Sequence, residues 1–562
     1  MKRQSTALVL GALVIISVGA SFWLGKKTRE AAPPPPSQSE PSSLNAKNPP
    51  SPFADSTRHI ESLPPPLSKK TKSKNHRPGS VIEDEVVLQF KDRDTLNEAL
   101  RILTEAGVPL RGSIAPLGML RVQLPPGGMD RLNELLGDRI LDRSKNVHVA
   151  LPEPISAPTD GSVLMPFGSD WITMLGAPTD IDDWGKGVRI AVIDSGVTSH
   201  PALNGAHIDR YSLVDETVAN GHGNAVTSLI VGNGDPGQPK GLAPAAEILA
   251  YQAMGEESGN AFTIAQAIVD AVDHGANIIN LSLGGWGDVE AVRAAVLYAD
   301  RAGVVIVAAV GNDRLDQITY PAAYPEVIAV TSVDAGFHWA EYPNAGLDGA
   351  WPNIAAPGVG LPAAYSNDQN IAFSGTSAAT PVVSAAIAAY MSETGATAQQ
   401  SAATVISQAS DRGEPGADPF LGEGVIDLVR IMRANERGIV DLAVSDHYVD
   451  ASLATNDGLP VRIGIQNRGT ELVNRPVVTL MIGTRDNLYQ FHLGPLAPGD
   501  VTEFEALIPI RYFQSNSPAT IGAVVSTQEA EDINPKNDAI ATAYGVTLDE
   551  NGERILSEAR SR

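Results

Sequence analysis

The sequence contains no cysteine among its 562 residues. This absence excludes disulfide bonds, thiolate zinc sites, a cysteine nucleophile and a lipid-modified N-terminal cysteine. The sequence also lacks a His-Glu-x-x-His pattern, a Walker loop and a Cys-x-x-Cys pair. Nothing in it therefore indicates a zinc, nucleotide or haem site, and we expect no required cofactor.

Basic side chains are scarce and unevenly distributed, with 41 Lys and Arg residues against 65 Asp and Glu residues. Residues 1–80 hold 12 basic and 4 acidic side chains, a net charge of +8, which leaves −32 for the rest of the chain. A body this acidic repels phosphate groups, so we expect no nucleic-acid partner.

The N-terminal segment has the pattern of a signal for export. An apolar run, Thr6 to Gly25, lies between Lys2-Arg3 and Lys26-Lys27. About 20 apolar residues can span a bilayer, and a cleaved secretory signal is the alternative, so residues 1–25 are predicted to be a signal peptide or a signal anchor. Residues 31–70 hold 11 of the 41 prolines, which predicts a disordered linker over residues 26–80. We expect a periplasmic or extracellular protein that meets the membrane only through its N-terminal segment, as an inner-membrane-anchored precursor if that segment is not cleaved.

Residues 81–152 have the pattern of a small α+β domain. Val86 to Phe90 reads as a strand, and leucines then recur at helical spacing as far as Gly107, a plausible helix C-cap. Two further strands are predicted at Met119 to Leu124 and at Val147 to Leu151. A short helix is predicted between them, at Arg131 to Leu136. Residues 153–170 are rich in Pro, Gly and Ser, which is typical of a loop.

Residues 171–435 alternate short apolar runs with Ala-rich helical stretches. Runs that are hydrophobic on both faces predict a parallel sheet with helices on both sides, an α/β fold. The four clearest runs are Val188 to Ile193, Ile278 to Leu283, Val304 to Val307 and Val327 to Val330.

Residues 440–546 show short alternating segments separated by Gly, Pro and Asn turns, as in Val461 to Ile465, Val477 to Met481 and Ile521 to Val525. This pattern predicts an all-β, Ig-like sandwich. Residues 547–562 are predicted to be a polar, frayed tail.

Four polar residues stand where a parallel sheet would place a site. Asp194 ends the first apolar run, His222 lies between two glycines before a helical stretch, Asn312 follows Gly311 after another run, and Ser377 opens a long Ala-rich helix. Ligands of such sheets gather at the carboxyl ends of the strands. We therefore expect these four side chains to converge.

These residue types match the requirements of acyl transfer to a serine. A serine hydroxyl needs a neighbouring base, histidine can take and return its proton, and a carboxylate fixes the imidazole tautomer. The oxyanion of the tetrahedral intermediate needs preorganised donors, for which the Asn312 amide and the Ser377 N–H at a helix start are suited. Each of the four residues alone is a weak indication of such a site, and the set of four is a much more specific one.

Residues 171–435 resemble the subtilisin-like serine proteases, the subtilases. The chain order Asp, His, Ser is that of subtilisin, in contrast to chymotrypsin and the α/β-hydrolases. Several segments match the family's motifs in family order: Val192 to Gly196, Gly241 to Pro244, Asn280 to Gly285, Ala309 to Asp313, Tyr320 to Pro325, Ala356 to Gly358, Gly375 to Ser377 and Gly422 to Asp427.

The resemblance implies roles for individual residues. Ser377 would be the nucleophile, His222 the base, Asp194 its orienting carboxylate and Asn312 an oxyanion donor. Ser282, Leu283 and Gly284 would pair with substrate backbone as an added strand, and Thr319 would lie at the floor of the primary specificity pocket and favour small or medium side chains. Residues 81–152 would be a propeptide that inhibits the enzyme and is cleaved within 153–170, which implies a zymogen acting on protein or peptide substrates. Residues 440–546 are similar to bacterial adhesion-related modules.

Two positions depart from the family pattern. Ala225 stands where the family usually has a second histidine, which is not a triad member. Ala202, after His200-Pro201, stands where many members have a calcium-binding aspartate. The loop Asn233 to Pro236 could still supply oxygen ligands, so calcium is possible although the usual strong site looks weakened.

Two alternatives differ in mechanism. One is a catalytically silent subtilase-like protein that serves binding or adhesion, and the retention of all four site residues speaks against it. The other is a sedolisin-like acid protease, which has a similar Gly-Thr-Ser-Ala motif but uses glutamate and aspartate where this chain has His222 and Asn312.

Overall fold

The computed structural model describes residues 79–149, 164–215, 221–255, 259–347, 349–449, 458–482, 488–509, 512, 519–548 and 554–558. The predicted signal segment, nearly all of the predicted linker and most of the predicted processing loop lie outside these residues. Within the described part of the chain, no helix is long and apolar enough to cross a membrane.

The N-terminal unit (residues 79–149) is a four-stranded antiparallel sheet with two helices. Its elements are β1 Val81–Phe90, α1 Arg93–Glu105, β2 Leu110–Ile114, β3 Met119–Gln123, α2 Gly128–Leu136 and β4 Ile140–Val149, and its strand order is β2-β3-β1-β4. Helix α1 begins where Asp92 accepts a hydrogen bond from the N–H of Thr95, an ordinary N-cap. The apolar faces of both helices pack on the sheet in one core.

The central unit (residues 164–435) is built on a seven-stranded parallel sheet of order β12-β11-β10-β9-β5-β7-β6. This confirms the predicted parallel α/β sheet. Its strands are β5 Arg189–Asp194, β6 Ile208–Ser212, β7 Glu247–Gln252, β9 Ile278–Leu281, β10 Val305–Ala309, β11 Val327–Val333 and β12 Ile354–Pro357. A two-stranded hairpin, β13 Leu361–Ala364 with β14 Asn370–Phe373, follows the last strand.

Helices of the central unit pack against the sheet because its strands are apolar on both faces. Ile190 and Val192 of β5 belong to the core that includes the helix starting at His222, whereas Ala191 and Ile193 are buried on the opposite face. The helices are α3 Trp171–Met174, α4 His222–Val231, α5 Ala261–Asp273, α6 Glu290–Arg301, α7 Thr376–Thr394, α8 Ala398–Ser407 and α9 Leu428–Arg433. Helices α4 and α7 pack against each other.

The N-terminal unit is joined to the central unit through backbone pairing. The short strand β8, Gly259–Asn260, belongs to the central unit in sequence but pairs antiparallel with β4. Asn146 adds a second link, because its side-chain oxygen accepts a hydrogen bond from the N–H of Phe262 in the first turn of α5 (3.1 Å). The carboxyl end of β4 therefore lies against the central unit.

The C-terminal unit (residues 439–558) consists of two antiparallel sheets that share one apolar core. The first has the order β15-β16-β19 and the second β18-β17-β20-β21-β22. The strands are β15 Leu442–Val449, β16 Gly458–Asn467, β17 Val477–Ile482, β18 Leu488–His492, β19 Val501–Pro509, β20 Ala519–Ser526, β21 Ala539–Leu548 and β22 Arg554–Glu558.

The predicted frayed tail, residues 547–562, needs a correction. Strand β21 continues to Leu548, and β22 pairs with it from Arg554 to Glu558. Backbone hydrogen bonds to an edge strand require no apolar pattern, which is why this polar segment gave no strand signal.

Buried polar groups hold the C-terminal unit to the central unit. Gln466 accepts a hydrogen bond from the N–H of Asp411 (3.0 Å) and donates one to the carbonyl of Ala409 (3.1 Å). The guanidinium of Arg468 donates to Gln466 (3.0 Å), and all of these side chains are buried. Removing one partner of such a network leaves buried polar groups without hydrogen bonds, which costs free energy. The network therefore holds the two units together as one packed body.

Candidate active site

The four predicted site residues follow or open elements of the central sheet and its helices. Asp194 is the last residue of β5, and Asn312 lies three residues beyond the end of β10. His222 is the first residue of α4, and Ser377 is the second residue of α7. Helices α4 and α7 pack against each other, and the carboxyl ends of parallel strands lie at one edge of a sheet, where ligands of such folds bind.

Asp194 and His222 form a direct pair. Nδ1 of His222 lies 2.9 Å from each carboxylate oxygen of Asp194, which is fully buried. The N–H and the hydroxyl of Ser195 also donate to the Asp194 carboxylate, at 2.7 and 3.1 Å. A carboxylate held in this way fixes Nδ1–H as the donor and Nε2 as the basic nitrogen of the ring.

Close backbone packing brings this pair together. A Cβ on Gly223, directly after His222, would lie 2.1 Å from the carbonyl oxygen of Gly196. Only glycine allows the start of α4 to approach the turn after β5 so closely. The edge of the Phe373 ring packs on the His222 ring, with centroids 5.3 Å apart.

Ser377 is tied to the segment after β9. Its hydroxyl donates to the carbonyl of Ser282 (3.1 Å), and the hydroxyl of Ser282 donates to the carbonyl of Ser377 (2.9 Å). Both serines are buried. The structure thus brings the predicted nucleophile against the first residue of the predicted substrate-pairing segment.

Asn312 is oriented by the residue before Ser377. Its side-chain oxygen accepts hydrogen bonds from the N–H (3.0 Å) and the hydroxyl (2.9 Å) of Thr376. A backbone N–H can only donate, so the accepting atom must be Oδ1. The Nδ2 group is then the donor that Asn312 offers beside the start of α7, whose positive dipole end favours a negative charge at the same place.

Thr319 lies between two backbone segments of the site. Its hydroxyl donates to the carbonyl of Ala309 (3.2 Å). A Cβ on Gly284 would lie 2.3 Å from Thr319 Oγ1, and a Cβ on Gly311 would lie 3.0 Å from Thr319 Cγ2. The threonine side chain therefore fills the space between the Ser282–Gly284 segment and the loop that carries Asn312.

An apolar pocket lies beside the predicted substrate-pairing segment, and residues of the N-terminal unit form part of its wall. Val147 and Val149 of β4 line this pocket together with Leu283, Val289 and Tyr324. Val149 also approaches Gly285, where an added Cβ would meet its side chain at 3.8 Å. The last described residue of the N-terminal unit thus lies beside the predicted substrate-pairing segment.

The first residues of the central unit are packed onto its body. The N–H of Phe167 donates to the carbonyl of Val359 (2.9 Å), and the N–H of Met165 donates to the carboxylate of Asp334 (3.2 Å). Burial alone would raise the pKa of Asp334, but hydrogen bonds from His338, Met165 and Gly336 outweigh it and hold the pKa below its usual value. The described part of the loop predicted for residues 153–170 is therefore held against the central unit by hydrogen bonds.

The region in which the family resemblance would place a calcium site is held by protein hydrogen bonds. Asn233 donates from its side chain to the carbonyl of Pro201 (2.9 Å), and its side-chain oxygen accepts from the N–H of Asp235 (3.1 Å). Ala202 adds no carboxylate. These residues do not fit an oxygen-ligand cage, and the described residues include no cluster of three or more His, Asp or Glu placed to hold a metal ion.

Sequence reasoning missed several residues that hold the site. Ser195 and Thr376 lie inside recognised motifs, so their positions were visible although their contacts with Asp194 and Asn312 were not. Asn146 lies more than 110 residues from its partner, Phe262. No local pattern could have signalled that contact.

The central unit is similar in sequence to known proteins. Residues 185–424 match the family model described as the subtilase family. A thermophilic serine proteinase of Bacillus sp. (strain AK1) is 32% identical over 336 residues, which cover 57% of this chain and 80% of the relative. The major intracellular serine protease of Bacillus subtilis (strain 168) is 36% identical over 220 residues, covering 36% of this chain and 68% of the relative.

The fold is also similar to that of a solved structure. The epidermin leader peptide processing serine protease of Staphylococcus aureus superposes with a TM-score of 0.53 at 20% identity, covering 62% of this chain and 98% of that one. At this identity the likeness concerns the fold alone.

Proposed function

Because this chain belongs to the subtilase family and is a subtilisin-like serine endopeptidase, we propose that it hydrolyses peptide bonds through an acyl-enzyme formed on Ser377. The observation that carries the proposal is the pair of hydrogen bonds between buried Asp194 and Nδ1 of His222, at the start of a helix that packs on the helix of Ser377. Nε2 of His222 takes the proton of the Ser377 hydroxyl as this oxygen attacks the scissile carbonyl, and later gives it to the leaving amine.

Asn312 and the N–H of Ser377 stabilise the oxyanion of the tetrahedral intermediate. The two hydrogen bonds from Thr376 to Oδ1 support this role, because they fix the orientation of the amide and leave Nδ2 as its donor. Loss of such a donor costs about 10²–10³-fold in kcat, as measured within the subtilisin family itself.

Substrate backbone pairs with Ser282, Leu283 and Gly284 as an added strand. Thr319 forms the floor of the adjacent pocket for the side chain before the scissile bond, and it selects small or medium side chains. The filled space between Gly284 and Gly311 supports this assignment. No cofactor is required for the chemistry, and the family's usual strong calcium site is weakened because Ala202 supplies no carboxylate.

The N-terminal unit acts as a propeptide that blocks the cleft until the chain cleaves itself. The pairing of β4 with β8 and the position of Val149 in the pocket beside Leu283 support this role. Cleavage falls within the loop of residues 153–170. The protein is therefore made as a zymogen.

Export rests on the sequence of the N-terminal segment, since one relative is named an intracellular protease and the family alone does not decide the compartment. The hydrophobic segment Thr6 to Gly25 precedes the propeptide, so self-cleavage separates the mature protease from any anchor. N-terminal sequencing of the active species tests both points. A start within residues 154–170 supports self-processing, and a start near Lys26 contradicts it.

A fluorophosphonate probe and a peptide substrate test the catalytic assignment against the catalytically silent alternative. The wild type should be labelled and active, and Ser377→Ala should show neither property and should accumulate as the uncleaved chain. Ser384→Ala is the matched control, because it removes another buried serine hydroxyl from the same helix. Labelling that survives in Ser377→Ala would refute the proposal.

A further inference from the structure

Asn344 is a buried side chain that contacts both sides of the Asn312 position. Its Oδ1 accepts hydrogen bonds from the N–H groups of Asp313 (2.9 Å) and Leu315 (3.1 Å), and its Nδ2 donates to the carbonyl of Val310 (3.1 Å). The side chain is fully buried. These three bonds end on backbone groups of Val310, Asp313 and Leu315, which lie on either side of the Gly311-Asn312 pair.

The backbone around Asn344 holds the same loop. The N–H of Asn344 donates to the carbonyl of Gly311 (3.0 Å), and the N–H of Ala345 donates to that of Leu315 (2.8 Å). Gly311 has a φ of +101°, and a Cβ there would lie 2.3 Å from Nδ2 of Asn344. The amide can approach this closely only because residue 311 is glycine.

The same segment also reaches the loop of Ser377. The hydroxyl of Tyr342, two residues before Asn344, donates to the carbonyl of Gly358 (2.6 Å), and this carbonyl also accepts from the N–H of Gly375 (2.8 Å). Burial raises the pKa of Tyr342, which keeps the phenol protonated as a donor. One short segment is thus bonded both to the loop of Asn312 and to a group that holds the loop of Ser377.

Resting on the oxyanion role of Asn312 proposed above, we propose that Asn344 is a positioning residue that sets the place of the Asn312 amide relative to Ser377. An oxyanion donor works only if it lies 2.7–3.1 Å from the position of the oxyanion, and misplacement by about 1 Å can cost 10²-fold. Asn344 is bonded to the backbone of the loop that carries Asn312. Its effect on the reaction passes through Asn312.

The substitution Asn344→Ala leaves the N–H groups of Asp313 and Leu315 and the carbonyl of Val310 without these partners, so the loop shifts. We expect kcat per titrated active site to fall roughly 10–100-fold and KM to change by less than about threefold, because the misplaced donor acts in the transition state. Normalising the rate to titrated active sites removes the contribution of unfolded molecules.

A matched control lies in the C-terminal unit. Asn467 is also fully buried, donates to the carbonyls of Glu471 (2.8 Å) and Leu496 (2.9 Å), and accepts from the N–H of Gly469 (3.0 Å). Asn467→Ala therefore removes the same kind of buried amide far along the chain from the site. We expect it to lower the melting temperature while kcat per active site stays within about twofold of the wild type.

A double-mutant cycle with Asn312→Ala is the decisive measurement. If Asn344 acts through Asn312, then Asn344→Ala lowers kcat in the wild-type background and changes it less than about threefold in the Asn312→Ala background. Equal losses in both backgrounds, or no loss beyond that of Asn467→Ala, would overturn the positioning role and leave the proposed function intact. Full activity of Asn312→Ala alone would overturn both. Should Asn344→Ala give no folded protein, the near-isosteric Asn344→Asp enters the same cycle with the same expected pattern.

Discussion

Thr319 gives a specificity prediction that depends on a small number of atoms. In the structure its Oγ1 and Cγ2 occupy the space next to Gly284 and Gly311. Thr319→Ala removes these two atoms and keeps Cβ, so the pocket deepens without a change in the backbone walls. The wild type should cleave after Ala or Val faster than after Phe, and Thr319→Ala should shift this ranking toward Phe.

The magnitude follows from the two atoms removed. One methylene-sized change in a pocket alters discrimination between substrates by about 10–200-fold. With the lower value of about tenfold for each of the two atoms, the ratio of kcat/KM for Phe to that for Ala changes by roughly 100-fold. The substitution also removes the hydrogen bond from Thr319 to the carbonyl of Ala309, worth about 1 kcal/mol of stability. Thr319→Val keeps the volume of the side chain and loses the same hydrogen bond.

The assay is cleavage of a peptide series that varies only the residue before the scissile bond. The Ala variant should accept Phe, and the Val variant should rank the substrates as the wild type does. If the wild type prefers Phe and Tyr, or if the Ala and Val variants shift the ranking equally, Thr319 does not form the floor of the pocket.

Three further predictions concern the catalytic pair and the packed body. Asp194→Asn removes the carboxylate that holds His222, so kcat should fall about 10⁴-fold while substrate-analogue binding is kept; a loss below tenfold would contradict the pair's role. Burial raises the pKa of Asp418 to about 6. Between about pH 4 and about pH 6 the native state therefore holds a proton on Asp418 that the unfolded chain has lost, so the free energy of unfolding should decrease as the pH rises through this range. Urea unfolding in the inactive Ser377→Ala background measures this effect. With Asp418→Asn the free energy of unfolding should fall less between about pH 4 and about pH 6, and an unchanged dependence on pH would refute the assignment. Gln466→Ala leaves buried groups of Asp411 and Ala409 without their Gln466 partner. It should lower the free energy of unfolding by about 2–4 kcal/mol. A loss of stability confined to a separate unfolding transition of the C-terminal unit would show that the two units unfold independently.

The parallel sheet could be predicted because its central strands are hydrophobic on both faces. Strand β6, Ile208–Ser212, gave no such signal, since an edge strand with Asp209 and Arg210 is half solvated. Strand β8 has only two residues and exists because β4 pairs with it. The order of the strands depends on pairing between distant segments, which no local pattern contains.

The candidate site could be predicted as far as its motifs reach. Asp194, His222, Asn312 and Ser377 carry chemistry that is recognisable from residue type and chain order. Asn344 was missed because it acts through backbone groups of Val310 to Leu315, about 30 residues earlier in the chain. Its function depends on burial and on three distances, and these are properties of the folded chain alone.

The central claim is that Ser377, His222 and Asn312 act on one reacting centre, and the crystal structure of a fluorophosphonate adduct tests it most directly. We predict phosphorus bonded to Oγ of Ser377, with a phosphoryl oxygen within about 2.7–3.1 Å of Nδ2 of Asn312 and of the N–H of Ser377, and Nε2 of His222 beside the bonded oxygen. An adduct on another residue, or a phosphoryl oxygen that points away from Asn312, would contradict the account.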